Sequence, residues 1–106
     1  PLWEWAGADS VADPRSIPLL MLFTIVLSLA VAPVENALSR HFEREADVIA
    51  VRLTGDRASA VRTFRRLAFS NLADLRPHPV AVTLLFTHPP IPERIGAALS
   101  QGAKSP

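Results

Sequence analysis

The first pattern along the chain is an uncharged, largely apolar run of 19 residues, Ser16 to Val34, between Arg15 and Glu35. At about 1.5 Å per residue, a helix of this length reaches roughly 28 Å, close to the thickness of a bilayer hydrocarbon core. Its apolar residues fall on every face, and 106 residues offer too little surface to bury such a helix. The run therefore predicts a transmembrane helix over residues 16–34.

A secretory signal peptide is another interpretation of an apolar run near the start of a chain. The residues before this run do not fit it, because they carry Trp3, Trp5 and several acids in place of a basic segment. Tryptophan is typical of a membrane interface, so residues 1–15 are interpreted as a loop and interfacial segment. Pro33 predicts a kink, since a proline inside a helix frees a backbone carbonyl.

Beyond the predicted span, apolar residues recur at helical spacing. They predict an amphipathic helix over residues 35–54, with a stripe formed by Leu38, Phe42, Ala46, Ile49 and Leu53. Gly55 is placed to end this helix in a left-handed conformation, and Asp56 to cap the next one. The turn at residues 54–56 is therefore predicted to join two helices.

Three further segments follow this turn. A second helix is predicted over residues 57–75, with an inward face of Val61, Phe64, Leu67 or Ala68, and Leu72. Residues 80–86 form a short apolar segment whose type the pattern leaves undecided, and residues 91–99 predict a last short helix. The predicted fold is all-α: one transmembrane helix runs through the proline kink into the amphipathic helix, and two or three shorter helices follow. Residues 35–100 form the helical carboxyl-terminal part, and residues 101–106 form a tail.

Composition and charge restrict the partners. Eleven basic residues against ten acidic ones leave a net charge of +1, so nothing indicates a nucleic-acid partner. With no Cys, disulfides, thiolate metal sites and thiol nucleophiles are excluded. Four arginines (Arg40, Arg44, Arg52 and Arg57) follow the apolar run within about 25 residues, and Arg15 alone precedes it, so the positive-inside rule predicts a cytoplasmic carboxyl-terminal portion.

The densest polar cluster lies on the amphipathic helix. Glu43 and Asp47 are four residues apart, so both carboxylates project from one side of the helix and repel each other unless a positive charge lies between them. Either solvent and nearby arginines neutralise them, or one carboxylate binds a metal while the other orients a histidine ligand. His41 and Glu45 form a second pair at this spacing, which we interpret as surface, and the sequence contains no H-E-x-x-H motif.

Four blocks of sequence together resemble the carboxyl-terminal part of the M48 zinc metallopeptidases, in particular the Ste24-like CAAX prenyl protease branch. The blocks are residues 36–47 (NALSRHFEREAD), 53–55 (LTG), 71–75 (NLADL), and 87–90 (THPP) with 93–95 (ERI). The resemblance covers the chain from about Asp13 onward. It implies that the chain, which opens on Pro1, is part of a larger helical membrane endopeptidase whose H-E-x-x-H motif lies outside these residues.

The resemblance also assigns site residues. It places Glu43 as the third ligand of one Zn²⁺, Asp47 as a hydrogen-bond partner of a zinc-binding histidine, and His88 near the metal, where it could stabilise an oxyanion. Arg94 matches the arginine that follows in the family, either in a structural ion pair or on the substrate side. The implied partners are a peptide or prenylated-peptide substrate, the lipid bilayer and the remaining helices of the same protein.

Three alternatives remain open at this stage. The first is a membrane quality-control peptidase of the HtpX type. The second is a membrane-anchored interaction module without chemistry, in which Arg62, Arg65 and Arg66 bind anionic lipid or a partner. The third is a peptidase-like scaffold that lacks its catalytic helix.

Overall fold

The computed structural model describes residues 1–101, and this part of the chain is helical without any strand. Its α-helices are α1 (Ile17–Thr54), α2 (Arg57–Ser70), α3 (Pro79–Leu85) and α4 (Ile91–Ser100). Two short 3₁₀ helices, Leu2–Ala6 and Pro14–Ser16, precede them. The predicted all-α class is confirmed, and the predicted tail beyond Gln101 lies outside the described residues.

Helix α1 joins the predicted transmembrane helix and the predicted amphipathic helix in one element of 38 residues, with Pro33 in its interior. The helical stretch Pro14–Thr54 contains an 18-residue window of mean hydropathy 2.5, and none of that window is buried. This helix is long and apolar enough to cross a membrane. The kink at Pro33 stays a prediction.

The chain divides into two compact units, and the first is Pro1–Ala32. Here the Asp13 carboxylate accepts a hydrogen bond from the backbone N–H of Arg15, which caps the short helix Pro14–Ser16. The Ser16 hydroxyl donates to the carbonyls of Val11 and Asp13, at 2.8 and 2.7 Å. These local bonds shape the segment that leads into α1.

The second unit begins at Pro33 and contains a small apolar core. Val51 of α1, Phe64 of α2 and Ala98 of α4 are buried, and four partly buried residues pack against them: Ala60, Val61, Ile91 and Ile95. The turn between α1 and α2 forms as predicted. Gly55 has φ +66°, and the Asp56 carboxylate accepts from the backbone N–H of Ser59 at 2.8 Å.

Helix α2 ends five residues earlier than the pattern predicts, at Ser70 in place of residue 75. Leu72 adopts the left-handed conformation, with φ +49°. The Ala73 N–H bonds to the carbonyl of Ala68, and the Leu72 N–H to that of Phe69. This is a Schellman motif with leucine in the usual glycine position, and it leaves Leu72 91% exposed, so the prediction that Leu72 faces inward is wrong.

The segment at residues 80–86, whose type the sequence pattern leaves undecided, is helical. Pro79 and His78 stabilise the first turn of this helix. Proline suits the first turn of a helix, and the His78 ring accepts a hydrogen bond from the Val80 N–H at 3.2 Å. Helix α4 begins at Ile91, as the pattern predicts, and ends at Ser100.

The face of α1 that packs inward in the second unit is not the apolar stripe. All five residues of the apolar stripe are exposed, and Phe42 is 58% exposed. From Asn36 onward, the residues of α1 that are not exposed number seven, and five of them are polar: Asn36, Ser39, Arg40, Glu43, Asp47, Val48 and Val51. The polar side chains on this side form hydrogen bonds and ion pairs with α3, α4 and the segment between them.

Candidate functional site

The polar face of α1 meets the chain between the end of α3 and the start of α4. Arg40 contacts the end of α3, Glu43 contacts His88, and Asp47 contacts Arg94 of α4. Successive turns of α1 therefore bind successive parts of the later chain. The two carboxylates share one side of α1, as the spacing of four predicts.

Glu43 and His88 are brought together, although 45 residues separate them along the chain. Oε1 of Glu43 is hydrogen-bonded to Nδ1 of His88. The Glu43 side chain is half-buried on the inward face, whereas His88 is largely exposed. A half-buried carboxylate thus contacts an imidazole that remains accessible.

The second oxygen of Glu43 is buried and accepts no hydrogen bond from any described residue. Its nearest cationic neighbour is Nη1 of Arg94, at 3.4 Å. A carboxylate has several acceptor positions, and a buried acceptor without a donor is uncommon. Beside its ion pair with Arg94, this oxygen has acceptor capacity left for a further cation.

Glu43, His88 and Arg94 line a cavity of about 580 Å³. Its other polar walls come from Asn71, Asp74 and Thr87. Three of the four sequence blocks that carried the resemblance therefore meet at one cavity: residues 36–47, residues 71–75, and the block of 87–90 with 93–95. The cavity also has apolar walls, which Leu67, Leu85, Phe86 and Ile91 contribute.

Arg94 supplies the positive charge that the two carboxylates of α1 require. Its Nε and one terminal nitrogen donate to the two oxygens of Asp47, at 2.7 Å each. The Arg94 guanidinium carbon lies 4.6 Å from the centre of the Phe64 ring. The hydrogen bonds to Asp47 raise the pKa of Arg94 above its ordinary value. Arg94 thus forms a structural ion pair, and Asp47 pairs with arginine within the described residues.

Two residues on the same face were missed by the sequence reasoning as parts of the site. Arg40 donates to the carbonyls of Val82 and Phe86, at 2.9 and 2.6 Å, and Asn36 donates to that of Leu84 at 2.8 Å. Both residues lie in the block 36–47 and at helical spacing with Glu43 and Asp47, but neither signal identified their partners. Spacing alone does not distinguish such residues from a solvated face.

Other candidates lie apart from this cavity. His41 is 3.5 Å from Glu45, and both side chains are exposed, which agrees with a surface pair. His78 is the cap of α3. Arg62, Arg65 and Arg66 lie on the exposed side of α2. Within residues 1–101, no three His, Asp or Glu side chains come close enough to hold a metal ion.

The donors at the cavity are chemically suited to zinc, which binds carboxylate oxygen and imidazole nitrogen. The described residues provide one carboxylate with an oxygen that accepts no hydrogen bond and one accessible imidazole. A four-coordinate site would take its remaining ligands from elsewhere. The arrangement can thus complete a metal site and place a hydrogen-bond donor beside it.

The known proteins to which this chain is similar are metallopeptidases. The family described as Peptidase family M48 matches residues 3–101. The chain is 42% identical over 83 residues to "Uncharacterized metalloprotease YhfN" of Bacillus subtilis (strain 168). That match covers 78% of this chain and 20% of the relative, so the chain spans about a fifth of that protein's length. No solved structure is a significant match.

Proposed function

Because this chain belongs to peptidase family M48, we propose that it forms one wall of the active site of a zinc-dependent membrane endopeptidase of the CAAX prenyl protease type. One observation carries the proposal. Glu43, whose buried second oxygen accepts no hydrogen bond, meets His88 and Arg94 at a cavity that unites three separate sequence blocks. The 42% identity to a protein described as a metalloprotease supports peptidase activity.

Each residue at the cavity has a distinct role in this proposal. Glu43 holds one Zn²⁺ through its carboxylate. Zinc, when bound, polarises the scissile carbonyl and lowers the pKa of a water molecule. His88 donates a hydrogen bond to the negative charge that develops on the substrate carbonyl oxygen. Asp47 holds Arg94, and each of its oxygens keeps a lone pair with which to orient a histidine ligand.

The remaining zinc ligands are proposed to be the two histidines of an H-E-x-x-H motif outside these 106 residues. Two observations support this: the printed sequence lacks the motif, and the chain spans about a fifth of its relative. The chain is therefore expected to be inactive on its own. The remaining helices of the same protein are its closest partners in this proposal, and the exposed apolar stripe of α1 gives them a surface to cover.

The apolar part of α1 is proposed to cross the bilayer, with the carboxyl-terminal portion on the cytoplasmic side. The excess of arginines after the apolar run supports this orientation. A peptide or prenylated peptide is the proposed substrate. The cavity's mixture of charged and apolar walls is compatible with a peptide that carries an apolar group.

The test uses the full-length protein in detergent. Zinc content and cleavage of a prenylated peptide are measured for the wild type and for Glu43→Ala. Glu45→Ala is the matched control, because Glu45 lies on the same helix and pairs only with exposed His41 among the described residues. We expect about one zinc per wild-type molecule, loss of zinc and cleavage in Glu43→Ala, and neither loss in the control.

Three results would contradict parts of the proposal. If Glu43→Ala keeps zinc and activity, Glu43 is not a ligand. If both Glu43→Ala and Asp47→Ala are tolerated and the wild type cleaves nothing, the peptidase proposal fails, and an interaction module or a peptidase-like scaffold remains. Equal cleavage of a matched peptide without the prenyl group would favour a general membrane peptidase over the CAAX type.

A further inference from the structure

Arg40 is a buried cation that forms no ion pair with the carboxylates of residues 1–101. Its side chain is only 6% exposed, so its charge is largely removed from water. One terminal nitrogen donates to two backbone carbonyls, those of Val82 and Phe86. Burying a charge is costly unless strong hydrogen bonds compensate for it, so this position indicates a specific task.

The carbonyls that Arg40 binds are at the end of α3. The last carbonyls of a helix lack intrahelical donors and carry a partial negative charge. Phe86, which follows α3, is extended, with φ −84° and ψ 120°, and no glycine ends the helix. Arg40, together with Asn36 at the Leu84 carbonyl, supplies the missing donors from α1.

Helix α1 and the segment that follows α3 also meet at the candidate active site. Glu43 comes three residues after Arg40 on α1, and His88 comes two residues after Phe86. The segment 86–88 is therefore attached to one face of α1 at both ends, by the Arg40 to Phe86 hydrogen bond and by the contact between Glu43 and His88.

We propose that Arg40 is a positioning residue, which fixes the segment after α3 on α1 so that the His88 imidazole lies against the Glu43 carboxylate. This inference rests on the proposed function for its catalytic consequence, although the positioning itself is independent of it. Arg40 acts through the backbone of Phe86 and contacts neither substrate nor metal.

The test compares Arg40→Met, Arg40→Lys and the milder Asn36→Ala in the full-length protein. Arg52→Met is the control, since Arg52 also donates from α1 to the later chain, but its partner is the Gln101 side chain. Hydrogen–deuterium exchange of residues 82–90 reports the positioning. We expect faster exchange there in Arg40→Met, partial recovery in Arg40→Lys, and no change in the control.

Activity provides the second readout. Arg40→Met is expected to lower kcat about 10- to 100-fold, with KM and zinc content close to the wild type. In a His88→Ala background the same substitution should cause little further loss, because Arg40 acts through His88. An Asn36→Ala variant should show a smaller change in the same direction.

Several outcomes would overturn the inference. Unchanged exchange at residues 82–90 would remove the positioning role. Additive losses in the Arg40→Met, His88→Ala double variant would show that Arg40 acts independently of His88. If exchange rises equally throughout the chain, Arg40 has a general structural role. A wild type without peptidase activity would instead contradict the proposed function, and the exchange experiment would still decide the role of Arg40.

Discussion

Asp47 and Arg94 form a two-point ion pair between α1 and α4, in which both carboxylate oxygens accept hydrogen bonds of 2.7 Å from the guanidinium. The Asp47 and Arg94 side chains are 17% and 15% exposed. Since Arg94 also lies 3.4 Å from Glu43, one arginine offsets the repulsion between both carboxylates of α1. The site therefore carries its own counter-charge before any metal binds.

Arg94→Met should destabilise the fold, because it leaves two sheltered carboxylates on α1 without their cation. We expect a loss of about 2–3 kcal/mol in the free energy of unfolding, below the range for a fully buried pair. Thermal unfolding of the full-length protein in detergent measures it. Arg44→Met is the control, since its partner Glu93 is exposed, and should cost at most about 1 kcal/mol. Equal losses in the two variants would contradict the special role of Arg94.

Gly55→Ala should destabilise the turn between α1 and α2. Gly55 has φ +66°, and an added Cβ would meet nothing within 4 Å, so the cost is purely conformational. The expected loss is about 1 kcal/mol in the free energy of unfolding, with a smaller loss for Gly55→Asn, because asparagine tolerates this conformation better. A shift in the unfolding midpoint measures both. Indistinguishable alanine and asparagine variants would argue against this cause.

Leu72→Gly is predicted to stabilise the end of α2, which is unusual for a glycine substitution. Leu72 has φ +49° and is almost fully exposed, so it bears the strain of the left-handed conformation without packing against the core. Glycine removes that strain, and we expect a gain of about 1 kcal/mol. The unfolding midpoint of the full-length protein decides it. A decrease would mean that the Leu72 side chain makes contacts beyond the described residues.

The cap of α2 should make stability depend on pH in a defined direction. Hydrogen bonds from Ser59 lower the pKa of the Asp56 carboxyl below its ordinary value. The folded state therefore favours the ionised form, so the contribution of Asp56 is complete above its ordinary pKa and is lost as pH falls through the lowered one. Asp56→Asn keeps a capping oxygen but cannot ionise.

This prediction is measured as the difference in melting temperature between the wild type and Asp56→Asn from pH 6 to pH 3. Other carboxyl groups titrate in both proteins, so the difference isolates Asp56. We expect the wild type to lose its advantage as the solution becomes more acidic. A constant difference across this range would contradict the coupling.

Local signals predicted the fold well where neighbouring residues determine the structure. Gly55 and Asp56 define the turn between α1 and α2, and the predicted start of α4 agrees with the structure, because caps, prolines and left-handed glycines act within a few residues. The end of α2 was missed because leucine at position 72 gives no signal for a left-handed residue. The type of α3 was undecided because seven residues are too few for periodicity to separate helix from strand.

The candidate site depends on contacts that the hydrophobic pattern of the sequence does not determine. Periodicity correctly placed Glu43 and Asp47 on one side of a helix, but it could not identify the partner on that side. The apolar stripe containing Phe42 and Ile49 is exposed in the structure, because hydrophobicity identifies a surface to be covered and not the element that covers it. Arg40 was missed because its partners are backbone carbonyls, which have no signature in a sequence.

The polar face of α1 also determines how the chain can tolerate changes in length. Arg40, Glu43 and Asp47 meet Phe86, His88 and Arg94 in the same order along both segments. One residue inserted between Arg40 and Glu43 would turn every later side chain by about 100° around the helix axis. Four inserted residues would nearly restore the angle but would lengthen the helix by about 6 Å. Insertions and deletions are therefore expected to be excluded from residues 36–47.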